Sequence, residues 1–227
     1  MVPVAGKPIL EHNIETLRSY GVREFVINLC HLPEAVMDHF QDGRKWGVVI
    51  HYSIEEQQLG TAGGVKRAER FLDEDFIVWY GDNLSTCRID LLWKLHQNKR
   101  SLGTIALYWR EDPTSSGIAE FDQDQRILHF LEKPAAKEIF SNWVSTGIFV
   151  LQPAVLERIP AEAALDFGRD IFPALLQDGQ SLYAYSMSEE EALWWIDTPQ
   201  DLARVRRLFT EEHSAAPPHP AEMQGRP

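Results

Sequence analysis

The chain has 227 residues, 44% hydrophobic and 25% charged, enough for one sizeable core or two small ones. A formal net charge of -12 argues against general affinity for nucleic acid or anionic membranes, whose phosphates favour basic surfaces. Cys30 and Cys87 lie far apart in no disulfide or zinc-ligand spacing, which suits a reducing cytoplasm, and neither export nor membrane spanning is expected without a signal peptide or a run of about 18 apolar residues.

Met1 to Pro8 leads into a helical pattern in which Leu10, Ile14 and Leu17 share a face, Pro8 suits the first turn and Gly21 can end the helix. A strand is predicted over Glu24 to Leu29, a helix from Pro33 to Gly43 with Val36, Met37 and Phe40 inward, and a strand from Val48 to Ser53. Glu55 to Gly64 then reads as a glycine-rich loop before a helix over Val65 to Phe71. Phe76 to Tyr80 is an uninterrupted apolar run that stops on Gly81-Asp82-Asn83, the pattern of a strand buried on both faces. With a helix over Asp90 to Lys99 and a strand over Thr104 to Trp109, the alternation predicts a parallel doubly wound sheet.

From Gly117 the pattern changes to two short strands about a polar turn, ending near Phe130. Leu131-Glu132-Lys133-Pro134 follows, then a strand over Trp143 to Leu151, a turn at Asp166 to Pro173, and a helix over Ala174 to Gln177. A strand pair is predicted over Ser181 to Met187 and Ala192 to Ile196, ending on Asp197. Thr198-Pro199-Gln200-Asp201 has the residues of a helix cap. One folded domain is expected over residues 1 to 211, and residues 212 to 227, rich in proline, read as a disordered tail.

Asp82 and Asp197 each end an apolar strand, and in open α/β sheets ligands collect at the carboxyl ends of strands. Together they could share a hard divalent cation such as magnesium, with phosphate oxygens completing its shell; each alone is also an ordinary turn residue. Gly60-Thr61-Ala62-Gly63-Gly64 meets a helix start, where free N–H groups favour an anion or a base edge, although a plain strand-to-helix turn explains it as well. Glu132 and Lys133 could bond sugar hydroxyls and a phosphate, or form a surface ion pair. His31 has no second ligand nearby and reads as a loop histidine.

The order of these motifs is more specific than any one of them. Val-Pro-Val-Ala-Gly-Lys-Pro, Leu-Gly-Thr-Ala-Gly-Gly, Tyr-Gly-Asp-Asn-Leu, Phe-Leu-Glu-Lys-Pro, Ser-Thr-Gly-Ile-Phe, Asp-Phe-Gly-Arg-Asp-Ile-Phe-Pro and Trp-Ile-Asp-Thr-Pro resemble, in order, the sugar-1-phosphate nucleotidylyltransferases. The resemblance implies an α/β fold, a Rossmann-like doubly wound mixed sheet of the glycosyltransferase-A-like kind with an inserted β-hairpin sugar-binding part. It implies formation of an NDP-sugar and pyrophosphate from an NTP and a sugar 1-phosphate, with magnesium. It puts Asp82 and Asp197 on the metal, Glu55, Gly60 and Thr61 on the base, and Gly117, Glu132, Lys133, Thr146 and Gly147 on the sugar phosphate, with Lys133 on its phosphate. Glu55 could accept hydrogen bonds from guanine, while the other bases stay open.

The family's opening strand and glycine-rich loop, with its arginine and lysine, have no counterpart here, so the first strand of the sheet is missing. Two expectations follow: an enzyme whose recorded start is an internal methionine, inactive as this chain, or a non-catalytic regulatory or binding subunit that pairs with a full-length homologue. A homo-oligomer is compatible with either.

Overall fold

The computed structural model describes residues 1–212. β1 (Pro3–Val4) and β2 (Lys7–Pro8) form a small hairpin ahead of α1 (Ile9–Ser19); β3 (Glu24–Leu29), α2 (Pro33–Phe40), β4 (Val49–Ile54), α3 (Gly60–Arg67), β5 (Phe76–Trp79), β6 (Asn83–Ser85), α4 (Ile89–Lys99) and β7 (Gly103–Trp109) follow. The second half runs through β8 (Ile118–Phe121), β9 (Ile127–Leu131), β10 (Trp143–Leu151), a π-helical turn (Phe167–Ile171), α5 (Phe172–Gln177), β11 (Leu182–Ser186), β12 (Leu193–Trp195) and α6 (Pro199–Glu212).

The sheet is organised about β10. Its apolar run supplies two cores at once, because successive side chains leave a strand on opposite faces. Phe149 and Leu151 enter a cluster with Phe167, Phe172 and Leu175, while Ile148 and Val150 enter another with Leu92, Ala106 and Tyr185. Along one edge β10 pairs antiparallel with β7, which in turn pairs parallel with β11. Along the other it changes partner: Val144 faces Ile118 of β8, and Ile148 to Leu151 face β5. The change falls at a bulge, where the register against β7 shifts between Ser145 and Phe149. Gly147 makes it possible with φ +74°, and a Cβ there would lie 2.6 Å from the Tyr80 ring.

The mixed six-stranded sheet thus agrees with the expected α/β class, and the hairpin β8–β9 extends it. Other expectations are corrected by pairings between distant segments. The stretches 181 to 187 and 192 to 196 do not pair with each other: β11 joins β7, and β12 joins β6, which read locally as a turn. The glycine run is not a loop before a helix but the first turns of α3, and a 3₁₀ turn at Glu69–Phe71 completes the expected helix. β5 is only half-buried although its sequence suits burial on both faces. Among the described residues its outer edge has no partner, because β3 and β4 form a separate parallel pair with their own core of Ile14, Phe40, Trp46 and Ile50. The tail expected from residue 212 lies outside the described residues, apart from Glu212 at the end of α6. Among the described residues no helix is long and apolar enough to cross a membrane.

Candidate active site

The two strand-end aspartates come together because β6 and β12 pair. Asn83 faces Trp195 in that register, and the Ile196 N–H donates to the Asp82 carbonyl at 3.2 Å. Asn83 anchors the segment: its Nδ2 donates to the Thr146 carbonyl at 2.7 Å, and its own carbonyl accepts from Asn13 Nδ2 at 3.0 Å. Asp82 is exposed as a residue, yet partial desolvation of its carboxyl in the cleft raises its pKa from the usual value, partly offset by its own backbone amide, and the negative charge of Asp197 raises it further. Neither carboxylate has an ion-pair partner among the described residues. Two hard oxygen donors with uncompensated repulsion suit a divalent cation that takes one or two carboxylates and fills its shell with phosphate and water. Among the described residues no group of three or more His, Cys, Asp or Glu is placed to hold a metal by itself.

A second group of residues gathers where α3 meets the π-helical turn. Thr61 Oγ1 donates to Asp166 Oδ2 at 2.7 Å and accepts from the Phe167 N–H at 3.0 Å. Asp166 in turn accepts from the N–H groups of Gly168 and Arg169, at 2.9 and 3.1 Å, and so caps the turn. The Tyr80 phenol lies close to Thr61; burial above all, and then the charges of Asp166, Glu132 and Asp82, hold it protonated far above the usual range. Through Tyr80, which feels the charge of Asp82, this group adjoins the two aspartates.

Glu132 lies between two glycines. A Cβ on Gly117 would approach its Oε2 at 2.5 Å, and a Cβ on Gly168 would collide with the same oxygen. Burial and the charge of Asp166 raise its carboxyl above the usual range, against the pull of Lys133 and Arg169. The carboxylate accepts no hydrogen bond among the described residues. Such a half-buried and unsatisfied acceptor has a free-energy cost that a donor-rich ligand would offset. Lys133 is exposed, held in the left-handed region at φ 46° with its N–H on the Ser116 carbonyl at 3.2 Å.

Several expected ligand contacts are instead committed within the protein. The N–H groups of Ala62 and Gly63, expected to face an anion or a base, both donate to the Leu165 carbonyl, at 2.9 and 3.3 Å. Glu55 is buried; its Oε2 accepts the Leu59 N–H at 2.8 Å, and its Oε1 accepts from Asn28 Nδ2, so it braces the turn into α3. Thr146 is buried too, with its hydroxyl donating to the Ala106 carbonyl at 2.9 Å and accepting the Ile148 N–H at 3.1 Å. That hydroxyl holds the β10 bulge.

Gly60 has φ +71°, and a Cβ there would run into the Leu165 carbonyl. Gly60→Ala is therefore expected to cost about 1 to 3 kcal/mol of stability, measurable by urea unfolding, and a loss below about 0.5 kcal/mol would contradict the geometry. Tyr80, Asp166, Arg169 and Asn83 were not singled out from sequence. Asn83 follows Asp82 directly, Tyr80 stands two residues before it, and Asp166 stands two residues before Gly168 in cap spacing, so local signals existed.

The family model for nucleotidyl transferases matches residues 1–211. The UTP–glucose-1-phosphate uridylyltransferase of Synechocystis is 35% identical over 229 residues, covering 93% of this chain and 58% of that protein. The mannose-1-phosphate guanylyltransferase of Mycobacterium tuberculosis is 31% identical over 208 residues, covering 90% of this chain and 56% of that protein. The chain thus spans rather more than half the length of these relatives. A structure of a glucose-1-phosphate thymidylyltransferase from Bacillus anthracis superposes with a TM-score of 0.80 at 24% identity, over 92% of this chain and 85% of that one, which speaks to the fold alone. By the match of its first 211 residues, the chain belongs to the nucleotidyl transferase family.

Proposed function

We propose that this chain carries the transfer site of an enzyme that makes an NDP-sugar. A phosphate oxygen of a sugar 1-phosphate attacks the α-phosphorus of an NTP; the bond from that phosphorus to the bridging oxygen breaks, and pyrophosphate leaves with its electron pair. The observation that carries the reading is the meeting of Asp82 and Asp197, two carboxylates with no ion-pair partner among the described residues, with Glu132 and its neighbour Lys133 reached through Tyr80. Magnesium held by Asp82 and Asp197 would neutralise phosphate charge during the transfer. Glu132, whose carboxylate fills the room that Gly117 and Gly168 leave, accepts from sugar hydroxyls, and Lys133 stands next to it for the phosphate. Tyr80, held protonated, fixes Thr61 and Asp166 and so the turn that carries Gly168.

The two named relatives differ in both base and sugar, so UTP with glucose 1-phosphate and GTP with mannose 1-phosphate are the first pairs to assay for pyrophosphate release. Glu132→Gln is expected to raise KM for the sugar 1-phosphate about 10- to 100-fold, by loss of charge-assisted hydrogen bonds, with KM for the NTP little changed. No pyrophosphate from any pair, together with no binding of a sugar 1-phosphate, would sink the proposal.

A second reading has a specific observation in its favour. Among the described residues lining the large cleft, Arg169 is the only Lys or Arg. A triphosphate is held and its developing charge stabilised by several donors, and loss of one costs about 3 kcal/mol of barrier. Sugar 1-phosphate binding without pyrophosphate release would favour a binding or regulatory subunit that works beside a complete homologue. The unpaired thiols of Cys30 and Cys87 suit the cytoplasm for either role.

A further inference from the structure

Lys133, the cation next to Glu132 in sequence, does not line the large cleft, whereas Arg169 does, together with Gly60, Thr61, Tyr80 and Asp82. Arg169 also stands one residue beyond Gly168, whose missing Cβ leaves room for the Glu132 carboxylate. Its positive charge, like that of Lys133, offsets part of the rise in the Glu132 pKa. Arg169 therefore adjoins both the unsatisfied carboxylate and the cleft that carries Asp82. Every other charged group named there, Asp82, Glu132 and Asp166, is an acid, so an anion entering from that side meets one mobile counter-charge.

The local structure presents the guanidinium with one edge fixed and one edge open. The Arg169 N–H donates to Asp166 Oδ1 at 3.1 Å, which sets the backbone at this position. Nε and Nη2 donate to Asp170 Oδ2 at 3.2 and 2.9 Å, and that oxygen is itself pinned, because it accepts the Asp166 N–H at 2.7 Å. Nη1 has no acceptor among the described residues. The arginine side chain is 66% exposed, and an exposed ion pair of this kind contributes little to stability. A planar fork of N–H donors with a free edge instead matches two oxygens of a phosphate.

We propose that Arg169 touches the substrate, clasping the phosphate of the sugar 1-phosphate with its Nη1 edge while Asp170 holds the other edge in place. The inference rests on the transfer reading, since it takes Glu132 as the anchor of the sugar. A sugar bonded through its hydroxyls to Glu132 brings its phosphate to the neighbourhood of Gly168 and so within the range of the next side chain. Transfer requires this phosphate to approach the α-phosphate of the NTP, and a guanidinium already oriented at the cleft offsets the repulsion between the two anions.

The test is calorimetric titration of the chain, with magnesium, by glucose 1-phosphate and mannose 1-phosphate. Arg169→Gln is expected to melt within about 2 °C of wild type, because only the exposed pair with Asp170 is lost. It should nevertheless bind both sugar 1-phosphates about tenfold or more weakly, and Arg169→Lys should recover part of that loss through charge without the fork. Glucose and mannose, which lack the phosphate, should bind wild type and Arg169→Gln alike to within about twofold, as should UTP and GTP. Equal affinity of wild type and Arg169→Gln for the sugar 1-phosphates overturns the proposal and leaves the transfer reading standing. A loss shared by the unphosphorylated sugars also overturns it, since the arginine then acts on Glu132 and not on the ligand. A loss confined to UTP and GTP overturns it as well and moves the arginine to the nucleotide. A wild-type chain that neither binds a sugar 1-phosphate nor releases pyrophosphate overturns both readings together.

Discussion

Asp82→Asn is expected to raise the melting temperature at pH 7 and to remove any rise that magnesium gives to the wild-type chain. Partial desolvation of the Asp82 carboxyl in the cleft and the nearby charge of Asp197 set its folded-state pKa above its unfolded value, although the residue as a whole stays exposed. The ionised side chain therefore weakens the fold, fully so above the folded pKa, and the penalty disappears as pH falls below the unfolded carboxylate range. The difference in melting temperature between variant and wild type should accordingly be largest near neutral pH and close below about pH 4. Magnesium reverses the balance by supplying the missing charge: a ligand at 100 times its Kd adds about 2.7 kcal/mol to the wild-type chain. In an assay that supports turnover, the same variant is expected to lose about 100-fold or more. A variant that melts lower than wild type and still responds to magnesium would remove Asp82 from the cation site.

Phe149→Ala is expected to be the most destabilising of the single changes considered, at about 3 to 5 kcal/mol. Phe149 is 1% exposed, and its ring meets Phe167 at 5.0 Å, Phe172 at 5.3 Å and Tyr80 at 5.8 Å, each edge-on. Removal of the ring takes away burial and three aromatic contacts in a place where β10 and the π-helical turn leave little room to collapse. For a domain of this size the loss corresponds to a fall in melting temperature of the order of 10 °C. Phe149→Leu should cost clearly less, since it keeps most of the volume. Urea unfolding with an Ala variant within about 1 kcal/mol of wild type would show that the cluster is not the core it is taken to be. Because Tyr80 reaches Thr61 and Phe167 adjoins Gly168, partial collapse here should also disturb the position of Glu132.

Where local chemistry decides, the sequence was sufficient. Glu24–Leu29 forms the strand its apolar residues predict, the hairpin about the turn at 122 to 125 closes as expected, and β10 spans Trp143–Leu151. Thr198 and Asp201 form the predicted reciprocal cap, with the Thr198 N–H on Asp201 Oδ2 at 3.1 Å and the Asp201 N–H on Thr198 Oγ1 at 3.1 Å. The motif order likewise pointed to the family that residues 1–211 match. Each of these depends on neighbours within a few positions, whose period, turn chemistry or order can be read directly.

The candidate site depended on contacts that no local pattern contains. Asp197 reaches Asp82 only because β12 pairs with β6, and Thr61 finds Asp166 across 105 positions. The Thr146 hydroxyl bonds the Ala106 carbonyl and the Ile148 N–H at a bulge that exists because β10 changes partners. The N–H groups of Ala62 and Gly63 are taken by a carbonyl a hundred residues downstream, at Leu165, for a related reason: a buried donor takes the nearest acceptor the fold provides. The sequence alone determined which segments are strands and helices and where their polar ends fall. The tertiary structure decided which of those ends meet and which polar groups remain without a partner, because hydrogen-bond satisfaction is settled between surfaces far apart in the chain.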